Sequence, residues 1–423
     1  MHIVNWRQFR DVEIEFHERL TILTGGNGAG KTTLLNILSR HFGWQGILVS
    51  TPRRKGSQTI FTPDYWSDSD LEKYEKWLLS TESEEAPQPT VDLTQLVQVG
   101  TLQYGNGSNA ALKIPGSVSA QFQIHIEGEQ PLQGMHVPSH RPIFSHQSVE
   151  NIPTQPRRRA QAYATYLEIV RARHYGGNHQ RTPNYYMKET LIALAAFGHG
   201  NAAIERDEES LRTFEGFQAV LRKILPPSLG FLRIQIRLPE VVLVTRSGDF
   251  SLDAVSGGIS SLIDLAWQIF MYADEGTSFA VTLDEPENHL HPELQRTVLS
   301  TLLLAFPNVQ FICATHNPFI VTSVPESNVY ALRHGNDHRV RSESLSAADR
   351  SGSSNEILRD VLGLPSASPT WVDQQLAQTQ SDLIGKDLTP ELVAELRSRL
   401  QSVGLERFIP ASLAKLAEQQ STR

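Results

Sequence analysis

The chain has 423 residues, with 38 Lys and Arg against 46 Asp and Glu, for a formal charge of −8. That length accommodates one large domain with insertions or two ordinary ones, and 39% hydrophobic with 20% charged residues excludes wholesale disorder. The acidic balance excludes a globally basic nucleic-acid coat and leaves room for a local basic patch.

A single cysteine, Cys313, excludes an intrachain disulfide and fits a reducing compartment such as the cytoplasm. No uninterrupted apolar run approaches bilayer length, so no membrane association is expected. Met1 to Phe16 alternates like strands and lacks the basic-then-apolar plan of a signal peptide.

In chain order, Val12, Ile14 and Phe16 alternate with charged residues, and Leu20 to Leu23 reads as a short buried strand. A glycine-rich loop, Gly25 to Gly30, precedes a helix from about Thr32 to Phe42 with Leu34, Leu35, Leu38 and Phe42 at helical spacing. From Asp64 to Glu85 an acidic helical piece reads as a surface insertion, closed by a linker at Ala86-Pro87-Gln88-Pro89. Strands return at Val97 to Tyr104 and Gln121 to Glu127. A second, helical insertion runs from about Pro156 to Pro227, with Leu211, Phe214, Val220, Leu221 and Ile224 on a buried face. Leu232, Ile234, Ile236 and Leu238 predict a strand paired with Val241 to Val244. Two buried strands follow, Phe279 to Leu283 and Val309 to Ala314, and beyond about Arg341 the tail is polar, then helical. No internal repeat or sustained heptad pattern is present.

Four motifs carry chemistry. Gly25-Gly26-Asn27-Gly28-Ala29-Gly30-Lys31-Thr32 matches G-x-x-x-x-G-K-[ST], the P-loop, between a strand and a helix. Its glycines turn backbone N–H groups inward around phosphate oxygens, and the helix N-terminus adds its positive end. Lys31 is expected on the β- and γ-phosphates, Thr32 on Mg²⁺, and Thr33 among the nucleotide-binding residues. The strand Phe279 to Leu283 ends in two carboxylates, Asp284 to hold Mg²⁺ and Glu285 to orient and polarise the attacking water. Val255-Ser256-Gly257-Gly258 opens an apolar helix, Ile259 to Tyr272, with Ser256, Gly257 and Gly258 as a second anion cradle. His316 follows the next buried strand, where it is expected to sense or polarise the γ-phosphate.

In this order the four resemble the nucleotide-binding head of ABC-type ATPases: Walker A at Gly25–Thr32, the signature at Val255–Gly258, Walker B at Asp284–Glu285 and the switch histidine at His316. The signature keeps Ser-Gly-Gly but has Val255 and Ile259 in place of the family's usual flanks. The Asn5-to-Phe9 opening, the Glu285-Pro286-Glu287-Asn288-His289-Leu290-His291-Pro292 segment and the enlarged lobe between Walker A and the signature are similar to the RecF/SMC/OLD branch. Within it, Leu35-Asn36-Ile37-Leu38 with His41-Phe42-Gly43-Trp44, the Ser139-His140-Arg141-Pro142 turn and Ser353 to Leu358 look like ATPase subunits of bacterial anti-phage systems of the Septu type.

The resemblance implies an α/β ABC-type P-loop head over residues 1–341, with insertions at about 56–95 and 156–227, and a helical tail over 342–423. It implies ATP and Mg²⁺, and ATP hydrolysis to ADP and phosphate. A homodimer, or an oligomer of dimers, would sandwich ATP between one chain's P-loop and the other's Ser256 region and regulate an effector or nuclease partner, with DNA or RNA as a further candidate partner. A RecF-like repair ATPase and a transporter ATPase subunit are the alternatives. Gln147 and Arg141 compete as the residue linking the lobes. The tail after Tyr330 lacks the Glu and Asp-x-Asp arrangement of OLD-type nucleases and a His-Asn-His cluster, so any cutting is expected of a partner.

Two further features have competing readings. Arg157, Arg158, Arg159, Arg171, Arg173 and Arg181, interleaved with Tyr163, Tyr166 and Tyr175, suit either a nucleic-acid backbone or a solvated helix with tyrosines in the core. The 15 histidines suggest metal, but His289 and His291 sit in the segment after Glu285 and no other pair has ligand spacing with a third partner, so no zinc site is expected.

Overall fold

The computed structural model describes residues 1–55, 58–62, 64–80, 87, 95–116, 119–141, 143–155, 157–177, 179–273, 276–363, 369–383 and 389–414. The chain forms two compact units, Met1–Ser354 and Asn355–Arg423.

The larger unit is built on an eleven-stranded mixed sheet. Its parallel part has the spatial order Gly134–Val137, Phe279–Asp284, Val309–Thr315, Leu20–Gly25 and Asn328–His334. The sheet then continues through Val340–Ser344, Phe9–Glu13, His2–Trp6, Leu96–Gln103, Asn109–Pro115 and His125–Glu127. Leu20–Gly25 is buried at every position, as befits a parallel strand covered on both faces. The helix after it, Lys31–Ser39, buries Leu34, Leu35 and Leu38 in a core shared with Ile3, Phe9, Leu23 and Ile312.

The stretch expected as one strand at 121–127 is two. Gln121–Phe122 pairs with Leu48–Val49 in a separate ribbon, while His125–Glu127 pairs with Asn109–Pro115 on the main sheet. Phe122, Ile124 and Ile126 are all buried, so the alternation reports a continuous apolar face although the backbone changes sheets. Val340–Ser344 crosses the 341/342 division expected from the sequence and belongs to the main sheet.

At the start of the first insertion, a hairpin whose first strand, Thr51–Lys55, precedes the expected boundary and whose second is Gln58–Thr62 leads to the helix Asp68–Leu79, whose N-cap Ser67 accepts from Asp70 N. Of the expected linker, Ala86, Gln88 and Pro89 lie outside the described residues, as do Pro142 and Pro156. The second insertion holds three helices, Arg159–His174, Pro183–His199 and Glu208–Ile224, packed with Gly257–Tyr272. Glu208–Ile224 has its expected apolar face, an Asp207 cap accepting from Ser210 N at 2.9 Å, acids in its first turn and Arg222 and Lys223 in its last, all favourable to the helix dipole. A three-stranded antiparallel sheet, Phe231–Arg237, Glu240–Thr245 and Gly248–Ser251, leads into the Ser256 segment. Leu238, expected on the first of these strands, lies just beyond it and is 65% exposed.

In the smaller unit, Thr370–Leu383 and Pro390–Ser402 pack around Val372, Leu383, Leu392, Leu396, Leu400 and Leu405. Among the described residues no helix is long and apolar enough to cross a membrane.

Candidate nucleotide site

Strand order brings the motifs to one edge. The strand before His316, Val309–Thr315, lies between the P-loop strand and the Asp284 strand, with Asp284 level with Ala314 and Thr315 level with Thr24. The loops beyond these carboxyl ends therefore converge, where ligands of open α/β sheets bind.

Gly26, Asn27 and Gly28 are exposed at the mouth of the P-loop and Ala29 is buried beneath them. Gly30 caps the helix at φ +94°, and a Cβ there would lie 2.4 Å from Phe9 Cζ and from Gln8 Nε2, so the position requires glycine. The same contact puts Gln8, on the opening hairpin, against the P-loop; only the Asn5-to-Phe9 resemblance pointed there. Lys31 folds back over the loop, its Nζ donating to Gly25 O at 2.9 Å and Gly26 O at 3.1 Å. Burial lowers its pKa, opposed by the charges of Glu285, Asp284 and Glu287. Thr33, one residue past the exposed Thr32, is half-buried.

The Thr32 hydroxyl donates to Asp284, 3.2 and 3.4 Å from its two oxygens. Burial pushes the Asp284 carboxyl up to about 6; the Thr32 bond opposes this, Glu285 adds to it, and Lys31 and His140 oppose it. A hydroxyl and a desolvated carboxylate side by side form a hard-oxygen donor pair that suits Mg²⁺ and would be relieved by a cation. The residues thus fit the metal.

Glu285 follows at φ +47°, a left-handed angle uncommon for a residue with a side chain. Its Oε1 lies 2.7 Å from His316 Nδ1, and its Oε2 accepts from Asn288 Nδ2 at 3.3 Å. Both groups remain partly open to solvent, His316 at 51% and Glu285 at 26% of their side chains. Behind them Glu287 is buried and its pKa raised, by burial first. Its Oε1 accepts from the Thr315 hydroxyl, and its Oε2 is buried with no hydrogen-bond partner among the described residues.

Ser256 is exposed and caps Gly257–Tyr272, its hydroxyl accepting from Ile259 N at 3.4 Å. A Cβ at Gly258 would lie 3.1 Å from His289 O, so the triplet flanks the turn that follows Glu285.

Of the two candidates for linking the lobes, Gln147 is not at the carboxylates. Its Oε1 accepts from Thr182 N and Oγ1, each at 2.8 Å, and its Nε2 donates to Gln180 O, all in the helical insertion. Arg141 instead reaches the Glu285 loop, donating to Glu285 O, Pro286 O and Asn288 O.

The arginine-rich stretch is largely engaged within the protein. Arg157 pairs with Glu189, Arg158 with Asp207 and Glu209, Arg159 bonds Phe270 O, Arg171 bonds Phe42 O and lies over Trp44, and Arg181 faces Glu150. Tyr166 is fully buried against Asp264, and Tyr163 packs edge-on to Tyr272. Tyr166 and Tyr163 thus pack inward, whereas Tyr175 is 45% exposed.

Sequence spacing gave no sign of a cluster in which His146, Glu240 and Asp253 bring ligand atoms within 4.8 Å. Its cation is a lysine: Lys188 Nζ lies 2.7 Å from Glu240 Oε2 and 2.5 Å from Asp253 Oδ2.

Residues 128–322 match a family model described as "AAA domain, putative AbiEii toxin, Type IV TA system", and residues 1–99 match one described as "AAA domain". The "Septu protein PtuA" of Bacillus thuringiensis is 24% identical over 165 residues, 36% of this chain and 42% of that protein. The "Retron Vc95 probable ATPase" of Vibrio cholerae serotype O1 biovar El Tor is 43% identical over 49 residues, 12% of this chain and 10% of that protein. The chain thus spans less than half the length of these curated relatives. Among solved structures, an SMC head domain from Thermotoga maritima covers 82% of this chain and 97% of its own, with a TM-score of 0.40 and 15% identity. The sheet and its motif order give the fold of a P-loop nucleotide-binding head, and the family matches agree with that class. More particularly, residues 128–322 and 1–99 are similar to AAA-domain families, and shorter stretches are similar to the Septu PtuA and retron ATPase proteins.

Proposed function

We propose that the chain binds Mg·ATP and hydrolyses it to ADP and phosphate, and that this cycle regulates an effector acting on nucleic acid in anti-phage defence. The contact of Thr32 with Asp284, beside the Glu285–His316 pair, carries the reading. P-loop N–H groups and Lys31 hold the phosphates. Thr32 and Asp284 would hold Mg²⁺, which would supply positive charge against the phosphate oxygens. Glu285, fixed from two sides by His316 and Asn288, orients a water and takes up its proton.

Two protomers pair so that the exposed Ser256 cap of one, with Gly257 and Gly258, completes the nucleotide site of the other. Binding then closes the pair and hydrolysis reopens it, a switch for the partner protein. The relatedness to Septu and retron ATPases supports the defence setting.

Phosphate release from Mg·ATP by the purified chain tests the reading. Lys31→Ala should abolish turnover and weaken nucleotide binding by about 1.5–3 kcal/mol, the range of a hydrogen bond to a charged group. Wild-type turnover in that variant would overturn the P-loop assignment.

A further inference from the structure

Arg141 is a buried cation whose partners are a hydroxyl and three carbonyl oxygens. Its Nε donates to Ser261 Oγ at 2.8 Å, Nη1 to Glu285 O at 3.3 Å, and Nη2 to Pro286 O at 2.8 Å and Asn288 O at 3.0 Å. Burying a charge in this way is costly, and an apolar side chain would fill the space at less cost to stability. The arrangement is specific in what it joins. Ser261 lies on Gly257–Tyr272, the helix that Ser256 caps. The three carbonyls belong to the loop that presents Glu285. Arg141 itself follows Gly134–Val137, the strand paired with Phe279–Asp284.

The clamp is reinforced on both sides. Ser261 Oγ also donates to Asn288 O at 3.3 Å. Asn288 Nδ2 donates to Ser139 O at 3.2 Å and to Glu285 Oε2 at 3.3 Å. The Glu285 carboxylate is therefore tied to the backbone next to Arg141 as well as to His316. The left-handed angle of Glu285 would relax in a free loop, and the fork of Arg141 grips the carbonyl just beyond that angle.

We infer that Arg141 is the positioning residue of Glu285 and links it to the Ser256 helix, so that engagement of Ser256 with a nucleotide is transmitted to the hydrolytic carboxylate of the same chain. This rests on the proposed ATPase reading. A lysine would keep the charge but lacks the planar fork needed to hold a hydroxyl and three carbonyls together.

The experiment compares kcat and KM for ATP in wild type, Arg141→Lys and Ser261→Ala, with Arg141→Lys repeated in a Glu285→Gln background. Arg141→Lys should lower kcat by roughly 10- to 100-fold, the penalty of misplacing a catalytic group by about an ångström. Its KM and its affinity for ATP should stay within about threefold, since Arg141 touches none of the P-loop residues that grip phosphate. In the Glu285→Gln background the same substitution should lower the residual rate little further, because no carboxylate remains to be placed. Ser261→Ala, which deletes one hydroxyl, should give a smaller loss of kcat with KM unchanged; it is the deciding variant if Arg141→Lys fails to fold. Unchanged kcat in a folded Arg141→Lys, equal losses in both backgrounds, or unchanged kcat in Ser261→Ala overturns the inference and leaves the ATPase reading intact. A wild-type chain that neither binds nor turns over ATP overturns the ATPase reading itself.

Discussion

Glu285 is held in an unfavourable backbone angle from several sides: Ala314 O accepts from its N–H, Arg141 donates to its carbonyl, and His316 and, from its own loop, Asn288 meet its carboxylate. Such over-determination is how a site keeps strain that the chain alone would release. A second carboxyl beside this network gives a pH prediction. Asp264 is fully buried on Gly257–Tyr272, where burial pushes it up to about 6 despite hydrogen bonds from Tyr166 and Gln268 and the charge of Arg141. Between its ordinary value of 3.8 and about 6, the folded chain holds a proton that the unfolded chain has released. Stability from this group therefore falls as pH rises through that window and is level above it. Asp264→Asn removes the buried charge, and a flipped Gln268 can accept from the new amide through its Oε1, which is buried with no partner among the described residues. The variant should be more stable than wild type by about 2–3 kcal/mol at pH 7 to 8, with the difference gone below about pH 4. Urea unfolding across that range checks it, and a variant less stable at pH 8 would show that Asp264 is kept charged by its neighbours.

At the scale of elements, the Ser256 segment is bolted to the helical insertion by one lysine. Lys188 of Pro183–His199 is wholly buried and donates to Gln147 O, Glu240 and Asp253, the last only three residues before Ser256. Asn184, one turn earlier, holds the other oxygen of Asp253 at 2.7 Å. Lys188→Met leaves two carboxylates facing each other, one with only 2% of its side chain exposed, and should cost about 3–5 kcal/mol in urea unfolding. Lys188→Met with Asp253→Asn should recover part of that loss; no loss in the single variant would mean that the cluster is already solvated. The sequence shows Lys188 only as a charge in an apolar run, because its partners lie 52 and 65 residues away. Arg141 was named from the sequence as a candidate link between the lobes, but its partners were not: it follows the four-residue strand Gly134–Val137, too short to alternate, and meets Ser261 120 residues later. The P-loop, Asp284-Glu285, the Ser256 triplet and His316 were legible because each is a contiguous segment at the end of an apolar strand or the start of an apolar helix. The order of the parallel strands and the break at Gln121–Glu127 depend on which segments pair, and pairing leaves little trace in local alternation.

For the whole molecule, the decisive question is whether one chain suffices. Ser256 is exposed beside the turn after Glu285, which suits a surface completed by a second copy. Mixing two inactive variants separates the possibilities. Lys31→Ala damages the P-loop half of a site. Ser256→Arg damages the cap half, because a bulky cation replaces a small hydroxyl where a partner's γ-phosphate must sit. Each variant alone forms pairs with two damaged sites. A mixed pair has one site carrying both defects and one assembled from an intact P-loop and an intact Ser256 helix. Equal mixing gives mixed pairs in about half of the assemblies if exchange is random, so ATPase activity should return to roughly a quarter of the wild-type level, provided that one intact site turns over independently and subunits exchange. The signal should grow with protein concentration and on preincubation, since it depends on association. A chain that works alone gives no rescue, as each variant carries its defect in its own site, and Ser256→Arg would then remain nearly as active as wild type. Full activity in Ser256→Arg would reduce Val255–Gly258 to the cap of a core helix and remove the composite site from the mechanism.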